Sequence, residues 1–249
     1  MSVKTVINPR YENLRDFITS LPGEFTRGGQ YVHKGRNEIK VFEAGGLHLN
    51  VKRYRIPLFI NRLIYAYFRA PKAERAYTYA LRLLEKQIRT PEPVAYMIEK
   101  KNGILGYSYF ISIQMPYSRR FYEFGDAPLT GNEDIIRAFA RYTASLHEAG
   151  IYHKDYSPGN ILFDTVEGKP EFCIVDINRM EFGKVDIKKG CANFARLWGQ
   201  KHFFLLLACE YAKARGFDET ECCRLVMDFR KKHWSTLSKK KAVKFRLEL

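Results

Sequence analysis

The chain has 249 residues, 46% of them apolar, which is enough to bury one or two cores and excludes an extended disordered polymer. Its 42 Lys and Arg against 27 Asp and Glu give a formal charge of +15, which points to an anionic partner such as a nucleotide, nucleic acid or acidic lipid. Five cysteines (Cys173, Cys191, Cys209, Cys222 and Cys223) form no C-x-x-C pair, no stretch reaches the ~18 apolar residues of a membrane span, and Met1 to Phe17 carry no leader-like apolar core. A disulfide scaffold, a structural zinc site and a spanning helix are therefore not expected, and a cytoplasmic chain is.

The front half reads as sheet. Alternation over Tyr31 to His33, Glu38 to Glu43 and Leu47 to Tyr54 predicts three strands, joined through Lys34-Gly35-Arg36-Asn37 and Ala44-Gly45-Gly46. Behind Pro71, apolar residues at three- and four-residue spacing (Ala73, Ala76, Tyr77, Ala80, Leu81, Leu84) predict a helix over Lys72 to Lys86, which Thr90-Pro91-Glu92-Pro93 stops. Val94 to Glu99 and Ser108 to Gln114 read as two further strands, and Met115-Pro116-Tyr117 as a link between lobes. Beyond it Ile135 to Ala149 is a helix closed by Gly150, then come short strands at Ile161 to Phe163 and Phe172 to Val175, and helices at about Cys191 to Arg215 and Glu219 to His233. The plan is α+β, with a small antiparallel sheet lobe holding one helix over residues 1–115 and a mainly helical lobe over residues 116–249.

The chemistry concentrates in His153-Lys154-Asp155-Tyr156-Ser157-Pro158-Gly159-Asn160 and, after a strand and a turn, Ile174-Val175-Asp176-Ile177-Asn178. The pattern is H-x-D-x-x-x-x-N followed by a second Asp. Phosphoryl transfer needs a group that orients the attacking hydroxyl, hard oxygen ligands for Mg²⁺ on the phosphates, and compensation of developing charge. Asp155 suits the hydroxyl; Asn160 and Asp176 suit the metal; His153 braces the loop. Alone, each residue has a plainer reading: the loop is rich in turn formers, and Asn178 either binds a second metal edge or, the favoured reading, caps a turn.

With these motifs in order, the chain resembles the protein-kinase-like superfamily. That resemblance implies an ATP- and Mg²⁺-dependent two-lobe kinase in which Lys52, on the third strand, meets the nucleotide phosphates and pairs with a helix glutamate. Glu74 is the chosen partner, with Glu85 the alternative. Gly35 alone lies in the first hairpin turn, so G-x-G-x-x-G is absent and the phosphate cradle would draw on Lys34, Arg36 and Asn37. Ser157 replaces the lysine of Ser/Thr kinases, and Asp176-Ile177-Asn178 replaces Asp-Phe-Gly. Lys72 to Tyr77, Thr90 to Tyr96, Asp176 to Met180 and Phe182-Gly183-Lys184 are similar to the lipopolysaccharide core kinases, the Kdo (3-deoxy-D-manno-octulosonic acid) and heptose kinases. This implies a lipid A-core glycolipid acceptor at the inner face of the inner membrane, with Kdo favoured over heptose and no nucleic-acid partner. The alternatives are a kinase of a soluble small molecule or of protein Ser/Thr, and a catalytically silent binding module. The basic and aromatic run from Arg53 to Arg69 is either a packed helix or a contact with an anionic membrane surface through Arg53, Arg55, Arg62 and Arg69. The lysines at 231–232 and 239–241 are a solvated run or a second anchor.

Overall fold

A computed structural model describes residues 2–56 and 70–248; Arg62 and Arg69 of the basic and aromatic run lie outside them. The chain divides into two compact units, Met1–Pro116 and Tyr117–Leu249.

The first unit is built on a six-stranded antiparallel sheet in the order β1-β5-β6-β4-β3-β2. Its strands are β1 (Ser2–Ile7), β2 (Gln30–Lys34), β3 (Glu38–Ala44), β4 (Leu47–Tyr54), β5 (Pro93–Lys101) and β6 (Ile104–Ile113). Opposed residues share a face, so the register settles which side chains lie together. Glu38 faces Arg53, Lys40 faces Val51 and Phe42 faces Leu49 on one side, whereas Ile39 faces Lys52 and Val41 faces Asn50 on the other. Helix α1 (Arg15–Arg27) covers the first side, where Ile18, Leu21 and Phe25 join Phe42, Leu49, Val51, Tyr109 and Ile111 in one buried cluster. Helix α2 (Lys72–Glu85) lies on the side of Lys52: Tyr77 meets Tyr96 at 5.3 Å, Tyr96 opposes Phe110, and Phe110 opposes Lys52.

β1 and α1 are additions to the sequence reading. The apolar series Leu14, Ile18, Leu21, Phe25 has helical spacing, but Pro22-Gly23 interrupts it with a turn signal. Tertiary burial of all four overrides that signal. Lys40, itself buried, donates to the carbonyls of Phe25 (2.8 Å) and Gly28 (2.7 Å) and so closes the C-terminal end of α1 with a cation.

In the second unit β7 (Arg119–Arg120), β9 (Ile161–Val166) and β10 (Lys169–Ile174) form one small sheet, and β8 (Ile151–His153) pairs with β11 (Met180–Phe182). Helix α3 (Glu133–Glu148) ends at Gly150, whose φ of +71° suits glycine at this left-handed stop. The helix expected from Cys191 to Arg215 is in fact broken. Asp186 caps α4 (Ile187–Asn193) by accepting from Lys189 N at 2.8 Å, a 3-10 turn follows at Phe194–Arg196, and α5 (Lys201–Arg215) starts afresh after Gly199. Gly199 has φ +150°, and a Cβ there would meet Phe203 at 2.8 Å, so no helix runs through it. Helix α6 (Glu219–Leu237) closes the unit. Phe121, Phe139, Phe163 and Phe172 are interlocked rings, Phe121 and Phe139 only 4.0 Å apart, and truncating either to Ala would cost about 3–5 kcal/mol. The tail turns back, Phe245 packing on Trp198 and Trp234, while lysines 231–232 and 239–241 are exposed.

Candidate active site

The loop after β8 is held by backbone and side-chain hydrogen bonds. His153 is 1% exposed. Its Nδ1 accepts from the Asp155 backbone N–H at 3.0 Å, so the ring proton sits on Nε2, which donates to the Val175 carbonyl at 3.0 Å. Burial holds this imidazole below its ordinary pKa, in keeping with a neutral brace. Tyr156 is buried and donates to Thr143 Oγ1 (2.9 Å), because the Thr143 hydroxyl is already donated to the Phe139 carbonyl. Lys154 reaches Glu181 at 2.9 Å and Lys189 reaches it at 2.6 Å; hydrogen bonds from Lys189 and then Lys154 hold that carboxyl down to about 2.

Asp155, Asn160 and Asp176 are brought into one loop system. The Asn160 amide nitrogen donates to the Asp155 carbonyl (2.8 Å), and Val175 N donates to the Asn160 carbonyl (3.0 Å), tying the segment before Asp176 to the loop. With its nitrogen so used, Oδ1 is the acceptor end that the Asn160 amide retains. Asp176 has left-handed backbone (φ +56°), and Asn178 donates through Nδ2 to its Oδ1. Asn178 therefore does more than cap a turn: it orients the Asp176 carboxylate. One amide oxygen and one carboxylate are hard donors that fit Mg²⁺, which takes one or two carboxylates and fills its shell with phosphate oxygens and water.

Arg196, at the end of the 3-10 turn after α4, is a site residue that sequence reasoning missed. Its Nη1 lies 2.8 Å from Asp155 Oδ1, an oxygen sealed from solvent with no well-aligned hydrogen bond, so this cation compensates the carboxylate. Nothing in the motif spacing marks Arg196.

Behind the loop runs a buried chain whose donors are all determined. Arg215 donates to the Tyr211 hydroxyl (2.9 Å), Tyr211 donates to His147 Nδ1 (2.8 Å), His147 Nε2 donates to Asn193 Oδ1 (3.0 Å), and Asn193 Nδ2 donates to the His153 carbonyl (3.0 Å). It links α5, α3 and α4 to β8 two residues before Asp155. A polar residue on the apolar face of α3, four residues after Thr143, is the signal that marks His147. Burial presses His147 down to about 4. An unfolded histidine titrates near ~6.5, so below that pH the unfolded chain takes up a proton that the folded chain refuses until about pH 4, and stability falls by about 3 kcal/mol across that window. Urea unfolding at about pH 7 and about pH 5 checks this, and His147→Gln is expected to reduce the slope by one proton. An unchanged slope in the variant would refute it.

The remaining sequence-chosen residues belong to the first unit. Lys52 lies on β4, largely buried, with its ammonium 5.3 Å from the Tyr54 ring. Gly35 lies in the β2–β3 turn, where a Cβ would meet the exposed His33 ring at 2.6 Å. Glu74, the partner the resemblance implied for Lys52, lies in the first turn of α2. Its carboxylate takes Lys4 of β1 at 3.4 Å, since the strand absent from the sequence reading supplies a competing cation. Glu85 lies exposed at the last residue of α2.

The fold and this loop system define a protein-kinase-like α+β molecule of two lobes. A WaaP solved in complex with acyl carrier protein superposes with a TM-score of 0.64 at 16% identity, covering 93% of this chain and 98% of that one. A double mutant of the PknI kinase domain from Mycobacterium tuberculosis gives 0.42 at 14% identity over 77% of this chain and 74% of that one. No curated protein matches the sequence. The family model described as lipopolysaccharide kinase (Kdo/WaaP) matches residues 20–237, and the chain belongs to that family.

Proposed function

We propose that this protein transfers the γ-phosphoryl group of ATP, with Mg²⁺, to a sugar hydroxyl of a lipid A-core precursor, Kdo first and heptose second, at the cytoplasmic face of the membrane. The observation that carries the reading is the bracing of Asp155, Asn160 and Asp176 in one loop system within a chain of the lipopolysaccharide kinase family. Asp155 accepts the hydroxyl proton and orients the attack. Asn160 Oδ1 and Asp176 would hold the metal, which would neutralise charge on the phosphates, and Lys52 would contribute a cation to the nucleotide. The loop also supports chemistry over silent binding, because the structure braces Asp155 through backbone groups and leaves its carboxylate to a cation rather than to a structural hydrogen bond. Among the described residues no helix is long and apolar enough to cross a membrane.

The test offers purified protein and labelled ATP with lipid A–Kdo, lipid A–Kdo–heptose, a generic protein and an aminoglycoside in parallel. Label on lipid A–Kdo is expected. Label only on the heptose-bearing acceptor would correct the sugar, and label on protein or drug with none on glycolipid would overturn the reading. The complex in which WaaP was solved supplies a further arm, in which acyl carrier protein is added to the same mixture.

A further inference from the structure

The face of the first sheet opposite Lys52 carries a basic cavity. It has a volume of about 240 Å³ and is lined by Gly35, Arg36, Glu38, Arg53, Arg55 and Tyr107. The register places it: Glu38 opposes Arg53, one residue before Lys52 opposes Ile39, so the cavity opens on the α1 side and Lys52 on the other.

Its walls are organised for an anion. Arg53 is fixed on three sides: Glu38 takes its Nε and Nη2, and its guanidinium lies 4.4 Å from the Phe25 ring and 4.8 Å from the Tyr107 ring. Glu38 is the lining carboxylate and is spent on Arg53. The side chains of Arg36 and Arg55 have no carboxylate partner among the described residues, so two guanidinium charges remain over at the mouth. Arg55 is placed there by its backbone N–H, which donates to Asn37 Oδ1 of the turn that carries Arg36 (3.3 Å). Planar guanidinium forks match phosphate oxygens in pairs. The volume falls below the ~300–1,000 Å³ of sites for drug-sized ligands, which suits a phosphate group rather than a nucleotide.

The geometry points to a second phosphate site at Arg36, Arg53 and Arg55, on the sheet face opposite Lys52, which takes the phosphate ester of an anionic lipid headgroup. Its test reads binding alone, so its failure leaves the proposed transfer reaction standing, and failed transfer leaves it standing in turn. Sedimentation with phosphatidylcholine vesicles, with and without phosphatidylglycerol, gives the lipid arm; calorimetry with inorganic phosphate and glycerol 3-phosphate gives the soluble arm. Arg53 is left intact because it packs. Arg36→Gln with Arg55→Gln, both exposed, is expected to weaken binding to the anionic vesicles about 30-fold, the equivalent of about 1 kcal/mol per cation. Lys240→Gln with Lys241→Gln removes the same charge from the exposed tail and is expected to change it by less than about threefold. Loss of soluble phosphate binding in the Arg36 and Arg55 variant, with no vesicle effect, would keep the site and assign it a soluble ester. Equal losses in both variants, or no loss in either arm, would overturn it.

Discussion

Asp155→Asn is expected to lower kcat for sugar phosphorylation by about 10²- to 10⁴-fold, the range of a lost general base, while Mg-ATP binding stays within about threefold. The substitution isolates chemistry because the loop is held by the backbone of this residue. Its N–H goes to His153 Nδ1 and its carbonyl takes the Asn160 amide, and both bonds survive the change. What is lost is one anionic oxygen and the ion pair with Arg196. That pair is partly exposed, at 24% and 43% for the two side chains, so its loss costs at most about 1 kcal/mol of stability. Pre-steady-state kinetics with a parallel urea titration checks both halves. Transfer near the wild-type rate would remove Asp155 from the reaction, and a large fall in stability would mean that the carboxylate is structural.

Asp176→Asn is expected to weaken Mg²⁺-dependent ATP binding on the order of 100-fold, with ATP binding in chelator little changed. Asparagine is the right replacement here. Asp176 has φ +56°, a region that Asn tolerates and Ala enters at a cost, and an Asn oxygen still accepts from Asn178 Nδ2. The fold and the local hydrogen bond are thereby retained, and the charge alone is removed. Asn178→Ala serves as the companion: it leaves the carboxylate but frees its orientation, and an outer partner of a metal ligand is worth about 10- to 100-fold in affinity. Calorimetry with and without Mg²⁺ decides. Equal affinities for wild type and Asp176→Asn in Mg²⁺ would exclude Asp176 as a metal ligand.

Much of this protein is written locally. The hairpins through Lys34-Gly35-Arg36-Asn37 and Ala44-Gly45-Gly46, helix α2 behind Pro71 and the stop at Gly150 follow from alternation, helical spacing and turn chemistry, all of which act over a few residues. The site loop was legible for the same reason. Asp155 and Asn160 are five residues apart on one turn, and Asp176 follows a hairpin whose strands β9 and β10 bring it back beside Asn160.

Tertiary structure decided the rest, because the determining partners are far apart in sequence. Packing of Ile18, Leu21 and Phe25 on Phe42, Leu49 and Val51 makes α1 a helix across Pro22-Gly23. Gly199, with its positive φ beside Phe203, divides what spacing alone reads as one helix. Glu74 meets Lys4, some 70 residues earlier, and Asp155 meets Arg196, which no motif joins to it. The chain from Arg215 through Tyr211, His147 and Asn193 to His153 spans three helices and a strand. Sequence by itself determined the two-lobe plan and the candidate loop motif, since period, turn and motif are short-range. Which cation faces which carboxylate, and which polar groups are buried together, was decided only when the chain folded, since those pairings depend on burial and on register between distant segments.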